Sequence, residues 1–241
     1  MSIASTIRIQ IKRIPKGRTF GYADLSISKA DYLTAAKALE RMQAKDEIKK
    51  LAKGIFYVPE ISVFGELKPM DSEQLRPYLF KNGKRVAYET GTSLYNQMGL
   101  TTQMAFKIKL ACNQKRINLN RGSLQVKTVK SYVEVTQDNY ELLGLLDAIK
   151  DIKRIPDCPT KNAIQFLRAR LKTMSNQEIN KIIRYALAYP PRVRALLGAM
   201  LENNQYVGQL NTLKDSLNPL TRIPLRLSET DLPNQAQWYI I

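Results

Sequence analysis

Ile3, Ile7, Ile11 and Ile14 recur at spacings of four, four and three, the apolar stripe of an amphipathic helix. Pro15 and Gly17 end that helix, and Thr19 to Tyr22 can form a short strand. Asp24-Leu25 belongs to a brief second helix. Ser28, with Asp31 three residues on, is an N-cap signature that opens a third helix from Lys29 to about Ala44. Two apolar-containing runs, Ile48 to Leu51 and Ile55 to Val58, then flank Ala52-Lys53-Gly54, which reads as a hairpin with a basic tip. Helix, short strand, helix, longer helix and basic hairpin is the element order of a winged helix-turn-helix.

The pattern changes twice further along. Asp71 to Phe80 reads as a helix, Lys81 to Lys84 as a turn, and Gly91 to Gly99 as a second helix ending at glycine. Met104, Phe106, Ile108, Leu110 and Cys112 alternate with polar or small residues, the period of a half-buried strand. Asn113-Gln114 can turn into a strand holding Ile117 and Leu119. Asn120-Arg121-Gly122 turns again into Leu124, Val126 and Thr128. An antiparallel meander is expected.

From Asn139 the period becomes helical. Leu142, Leu143, Leu145, Leu146 and Ile149 share an apolar face closed by Ile155-Pro156. Thr160 opens a helix that buries Ile164, Leu167 and Leu171. Ser175 and Glu178 form a capping box ahead of Ile179, Ile182, Ile183 and Ala186. Pro191 suits the first turn of a last helix through Leu201. Beyond Asn203 the prolines at 219, 224 and 233 interrupt a weakly periodic tail, expected to be a loosely structured arm. The expected fold class is α+β: a winged helix-turn-helix over 1–58, a mixed domain with a small antiparallel sheet and a helical bundle over 59–202, and the arm over 203–241.

Charge adds a partner to this outline. The 241 residues carry a formal +17, and residues 1–58 hold 12 lysines and arginines against 5 acids. Such an excess points to an anionic partner, with DNA, RNA, an acidic protein and a membrane surface all open on charge alone. No apolar run approaches the length of a membrane span, and Arg8, Lys12 and Arg13 interrupt any leader-like segment. Cys112 and Cys158 offer no disulfide framework and suit a reducing cytoplasm. There is no histidine, no CxxC pair and no glycine-rich phosphate loop. Asp147 and Asp151 are one helical turn apart, a spacing that ordinarily marks a solvated face. Neither catalysis nor a cofactor is expected.

In a winged helix-turn-helix the longer helix enters the major groove. With Tyr32, Ala36, Leu39 and Met42 turned to the core, the outward residues are Thr34, Lys37 and Arg41, with Lys29 and Asp31 near the start. Arginine or lysine there can reach guanine, and threonine can touch a thymine methyl group. Lys49, Lys50 and Lys53 lie on or beside the hairpin tip, where a wing meets phosphates. Gly54 is expected to supply a positive φ at that turn.

The stretch Phe20 to Val58, with AAKALERMQAKDEIKKLAKGIFYVP, resembles the N-terminal winged helix of AbiEi-like type IV antitoxins, in their Bacteroidetes branch. YETGTSLYNQMGLTTQM (Tyr88–Met104) and YPPRVRALLGAMLE (Tyr189–Glu202) extend the resemblance over about residues 1–202. The resemblance implies a DNA-binding half that recognises inverted repeats in its own promoter and represses its operon. It also implies a second half that opposes a nucleotidyltransferase-like toxin, a functional and not necessarily physical partner. The second function is assigned to residues 59–202, where Lys107, Lys109, Arg192 and Arg194 could face an acidic toxin, a nucleic acid or more of the operator. A winged-helix regulator without a toxin and an RNA-binding protein remain the alternatives.

Overall fold

The computed structural model describes residues 2–113, 117–121, 124–202 and 207–241. The chain is mixed α and β and divides into two compact units, Met1–Val86 and Ala87–Ile241. The boundary expected at 58 therefore lies at 86.

The first unit opens with α1 (Ile3–Lys12), capped where the Ser5 N–H donates to Ser2 Oγ at 3.3 Å. Then come β1 (Thr19–Gly21), a 3-10 turn at Tyr22–Asp24 in place of the expected brief helix, and a second 3-10 turn at Lys29–Asp31. That turn runs into α2 (Tyr32–Ala44), followed by the hairpin of β2 (Lys49–Ala52) and β3 (Ile55–Tyr57). The sheet order is β1-β3-β2, all antiparallel, with Thr19 opposite Tyr57 and Lys49 opposite Tyr57 on the other side. Ile7, Ile11, Phe20, Leu25, Ala35, Leu39, Met42, Ile48 and Phe56 form the core. Ile3 and Ile14 pack at its rim.

Residues 59–86 join this unit because of what they do to its edge strand. After the hairpin of β4 (Glu60–Ser62) and β5 (Gly65–Leu67), α3 (Asp71–Leu79) lies along β1. The Thr19 N–H donates to Glu73 Oε2 at 3.2 Å, and Arg76 donates to the Thr19 carbonyl at 3.1 Å. These bonds satisfy backbone groups that an open edge would leave unpaired. The unit ends in the short ladder of β6 (Phe80–Lys81) and β7 (Lys84–Arg85), turned by Asn82-Gly83.

The second unit begins with β8 (Ala87–Thr90) and α4 (Thr92–Gln97), then β9 (Ile108–Cys112), β10 (Asn118–Arg121) and β11 (Leu124–Lys130). The expected meander is corrected here. The order is β10-β11-β9-β8, and β11 runs parallel to β9. β11 carries the fully buried Leu124 and Val126 and takes the inner position, whereas β10, with exposed Asn118 and Asn120, takes the edge. The first strand also starts later than its alternation suggests. Met104 and Phe106 precede it and are 89% and 82% exposed. Of the turn residues expected here, Gln114 and Gly122 lie outside the described residues.

Five helices complete the unit: α5 (Tyr140–Lys150), α6 (Thr160–Lys172), α7 (Asn176–Ala186), α8 (Pro191–Leu201) and α9 (Val207–Asp215). The expected apolar faces of the first four are buried, and the Ser175–Glu178 capping box forms with both reciprocal bonds. The tail corrects the expectation of a loose arm. Leu210, Leu213, Leu217, Ile223, Leu225, Leu232 and Ile240 are buried in the same core, and Trp238 donates its Nε1 proton to Glu202 at 2.7 Å. Apart from α9, the tail packs as turns and irregular chain between prolines, so little helical or strand period announces the burial.

Candidate nucleic-acid interface

The geometry of α2 follows from which residues are small. Ala35, Ala38, Leu39 and Met42 are buried against α1 and the sheet. The inward face thus lies one turn before Leu39 and Met42, at Ala35 and Ala38, since i−4 returns to the same side. Tyr32 and Ala36 are not its members. Tyr32 is 44% exposed and packs its ring on Tyr22, with centroids 5.8 Å apart, and Ala36 is half-buried.

This rotation leaves the anticipated outward residues outward. Thr34, Lys37 and Arg41 are exposed, as is Lys29 in the preceding turn. Asp31 is half-buried and accepts the Ser28 hydroxyl at 2.7 Å, which fixes the start of the helix. Two further residues share the face. Leu33 is 81% exposed, and Lys45 follows Arg41 by four positions, a spacing that could have disclosed it. Arg41 and Lys45 also edge an open groove of about 480 Å³ between α1 and α2, with Ser2, Ser5 and Arg8 on its far side.

The hairpin divides the three lysines. Lys50 and Lys53 are exposed, and Gly54 turns the chain with φ at 72°. Lys49 is differently placed. Its ammonium lies 2.6 Å from Asp46 Oδ1 and 3.7 Å from Glu66 Oε2. The hydrogen bond to Asp46 holds the Lys49 ammonium above its usual pKa. Glu66 also accepts the Tyr57 hydroxyl at 2.8 Å, and burial first, then this carboxylate, pushes the Tyr57 phenol up to about 12. Arg8 makes a two-pronged contact with Glu47, at 3.1 and 3.3 Å, tying α1 to the segment before β2. Among the described residues, no ion pair engages Lys29, Lys37, Arg41, Lys50 or Lys53. These five cations of the turn, helix and hairpin thus make no ion pair, as is true of Lys45 beside them, whereas Lys49 and Arg8 are paired.

In the second unit the expectation of a solvated carboxylate face at Asp147 and Asp151 is corrected. Asp147 is 2% exposed. It accepts from the Tyr88 hydroxyl at 2.9 Å, the Thr90 hydroxyl at 2.7 Å and the Lys150 ammonium at 2.6 Å. Tyr95 donates to Asp151 at 2.9 Å. Burial is the first cause that raises the phenols of Tyr88, Tyr95 and Tyr189. Every ligand of Asp147 is a donor from the protein itself, so the carboxylate organises the β8–α5 junction. Among the described residues, no cluster of histidine, cysteine and carboxylate groups could hold a metal, and no helix is long and apolar enough to cross a membrane.

A family model described as a family of unknown function (DUF6088) matches residues 6–179. The chain belongs to this family. The match takes in the whole first unit past α1's first turn, the sheet of the second unit and the helices α5 and α6. No curated protein matches the chain.

Proposed function

We propose that this DUF6088 protein binds double-stranded DNA sequence-specifically through a winged helix-turn-helix in its first unit. The observation that carries the reading is the set of free cations at Lys29, Lys37, Arg41, Lys50 and Lys53. Lys29 lies in the turn that opens α2 and the other four on α2 and the hairpin, after α1 and β1, with the three strands ordered β1-β3-β2. In this reading α2 is the recognition helix, with Lys37 and Arg41 at base edges and Thr34 beside them. Lys50 and Lys53 meet phosphates from the wing. Asp31 serves by fixing the helix start, and Lys49 serves by bracing the hairpin.

The resemblance to AbiEi-like antitoxins supplies the biological setting of the proposal. The protein represses its own operon from inverted repeats, and its second unit counteracts a nucleotidyltransferase-like toxin. The decisive experiment is a gel shift of the full chain against its own upstream region, across a salt series. Wild-type protein is expected to form a specific complex that survives competitor DNA, and Lys37→Ala/Arg41→Ala to lose it. A variant that binds the upstream region as tightly and as selectively as wild type would sink the assignment.

A further inference from the structure

The sheet of the second unit has two unlike halves on one face. Tyr88, Ala111 and Val129 pack into the helical core. Farther along the same face, strand register aligns Asn118, Lys127, Lys109 and Thr90 as one row across all four strands. Asn120 pairs with Gln125 in the adjoining row, and Lys107 immediately precedes β9. Asn118, Asn120, Lys107, Lys109 and Lys127 are all exposed.

This arrangement is costly unless something anionic lies on it. Lys109 and Lys127 sit directly opposite each other on neighbouring strands, about 4.8 Å apart in the sheet, where like charges destabilise. Among the described residues no carboxylate pairs with either. Asp147, which Thr90 bonds at the end of the row, is buried and already neutralised by Lys150. The Lys109 stem is also accommodated. A Cβ on Gly91 would meet Lys109 Cδ at 3.1 Å, and Gly91 has φ at 72°, so bare backbone lets the lysine lie there. An open groove of about 680 Å³, edged by Asn113, Asn118, Lys127 and Lys130, continues the basic surface.

We propose that this sheet face binds single-stranded nucleic acid. The lysines meet the backbone, and the exposed amides of Asn118 and Asn120 stand beside them for unpaired base edges. The exposed Phe106, in the segment entering β9, is available for stacking. A duplex fits poorly, because a major groove admits a helix or a two-stranded ribbon and not a four-stranded face. All these residues lie in the second unit, so the proposal is independent of the one made for α2 and its hairpin.

The test uses fluorescence anisotropy with the full chain and dye-labelled single-stranded RNA and DNA of mixed sequence. Three proteins are compared: wild type, Lys107→Gln/Lys109→Gln/Lys127→Gln, and Lys37→Gln/Arg41→Gln/Lys50→Gln. The sheet variant is expected to bind single strands on the order of tenfold more weakly, and to flatten the logarithmic salt slope by about 0.7 per lysine. The α2–hairpin variant is expected to keep single-strand binding, and Phe106→Ala to weaken it without changing the slope. A preference for RNA over DNA would show the 2′-hydroxyl being read, and equal binding a backbone-only grip; both uphold the proposal. If the triple variant melts early, Lys127→Gln alone carries the slope measurement. Unchanged affinity and slope in the sheet variants overturns the proposal, as does displacement by polyglutamate as effective as displacement by unlabelled strand.

Discussion

Thr19 Oγ1 donates to the carbonyl of Glu73 at 2.6 Å, and that carbonyl is the one Pro77 leaves without its helical partner. Proline has no N–H to return to position i−4, so a helix that carries it must find another donor. Here the donor comes from the neighbouring edge strand, on a threonine with no exposed surface. One bond thus satisfies the helix and fastens α3 to β1. Thr19→Val keeps the shape, strands the carbonyl and should cost about 1–3 kcal/mol in urea denaturation. In a Pro77→Ala background the restored N–H can take over, so the same substitution should cost clearly less. An equal cost in both backgrounds would refute the coupling.

Asp147 is expected to be the most sensitive polar position of the second unit. Asp147→Ala removes the acceptor of Tyr88, Thr90 and Lys150 together. Breaking a buried pair from one side costs about 3–5 kcal/mol, and the low end applies because the Lys150 side chain keeps 22% of its exposure. Asp147→Asn/Lys150→Met, which retains an acceptor and removes the charge, should recover much of the loss. A cost well under 1 kcal/mol for Asp147→Ala, from denaturation curves with unchanged slope, would count against this account.

What the sequence discloses and conceals follows from which forces leave a periodic mark. The helices α5 to α8 were legible because their cores come from Leu and Ile at helical spacing. The β2–β3 hairpin was legible from Lys53-Gly54 between apolar runs. Tyr32 misled because an aromatic at helical spacing reads as core, although alanines at 35 and 38 let α1 come close and claimed that face. The parallel pairing of β9 and β11 leaves no trace in alternation, since register and direction are set by where β10 is carried. Asp147 looked solvated because its two hydroxyl donors, Tyr88 and Thr90, lie 59 and 57 residues earlier in the chain. Of the candidate interface, the exposure of Lys29, Thr34, Lys37, Arg41, Lys50 and Lys53 was legible; the pairing of Lys49 with Asp46 and Glu66 was not.

That neutralisation separates two adjacent lysines experimentally. Lys50→Ala should weaken binding to all duplexes and flatten the logarithmic salt slope by about 0.9, the share of one phosphate contact. Lys49→Ala should leave the slope unchanged, since its charge is committed to Asp46 and Glu66 within the fold. The measurement is the salt dependence of duplex affinity for both variants beside wild type. Equal slope changes would show that Lys49 releases its carboxylates to reach DNA.

Alkaline stability reports on Tyr57. Its folded pKa, about 12, exceeds the ordinary value of 10.0, so the folded state holds the phenolic proton longer than the unfolded chain. The stability this provides is fully present below pH 10 and is lost as pH rises toward 12. The buried phenols of Tyr88, Tyr95 and Tyr189 shift the same way and steepen the loss. Unfolding free energy should therefore fall through that window, and less steeply in Tyr57→Phe. A Tyr57→Phe curve parallel to wild type would mean that the hydroxyl is freely solvated.

The proposed division of labour between the units gives the last prediction. The cations proposed to meet duplex DNA lie in residues 1–86, whereas the resemblance to antitoxins continues through Tyr88–Met104 and Tyr189–Glu202, in a unit with its own core. Repression and rescue should therefore separate in the full chain by substitution, without truncation. Lys37→Ala/Arg41→Ala/Lys50→Ala changes exposed side chains that make no ion pair, so folding should be unaffected. This variant should release a reporter placed under the upstream region. It should still protect cells expressing a nucleotidyltransferase-like toxin encoded beside the gene. The sheet variant at Lys107, Lys109 and Lys127 provides the converse arm, since it should repress normally. Loss of protection in the α2–hairpin variant, at normal expression and melting temperature, would mean that rescue runs through repression and that the second unit has no antitoxic role of its own.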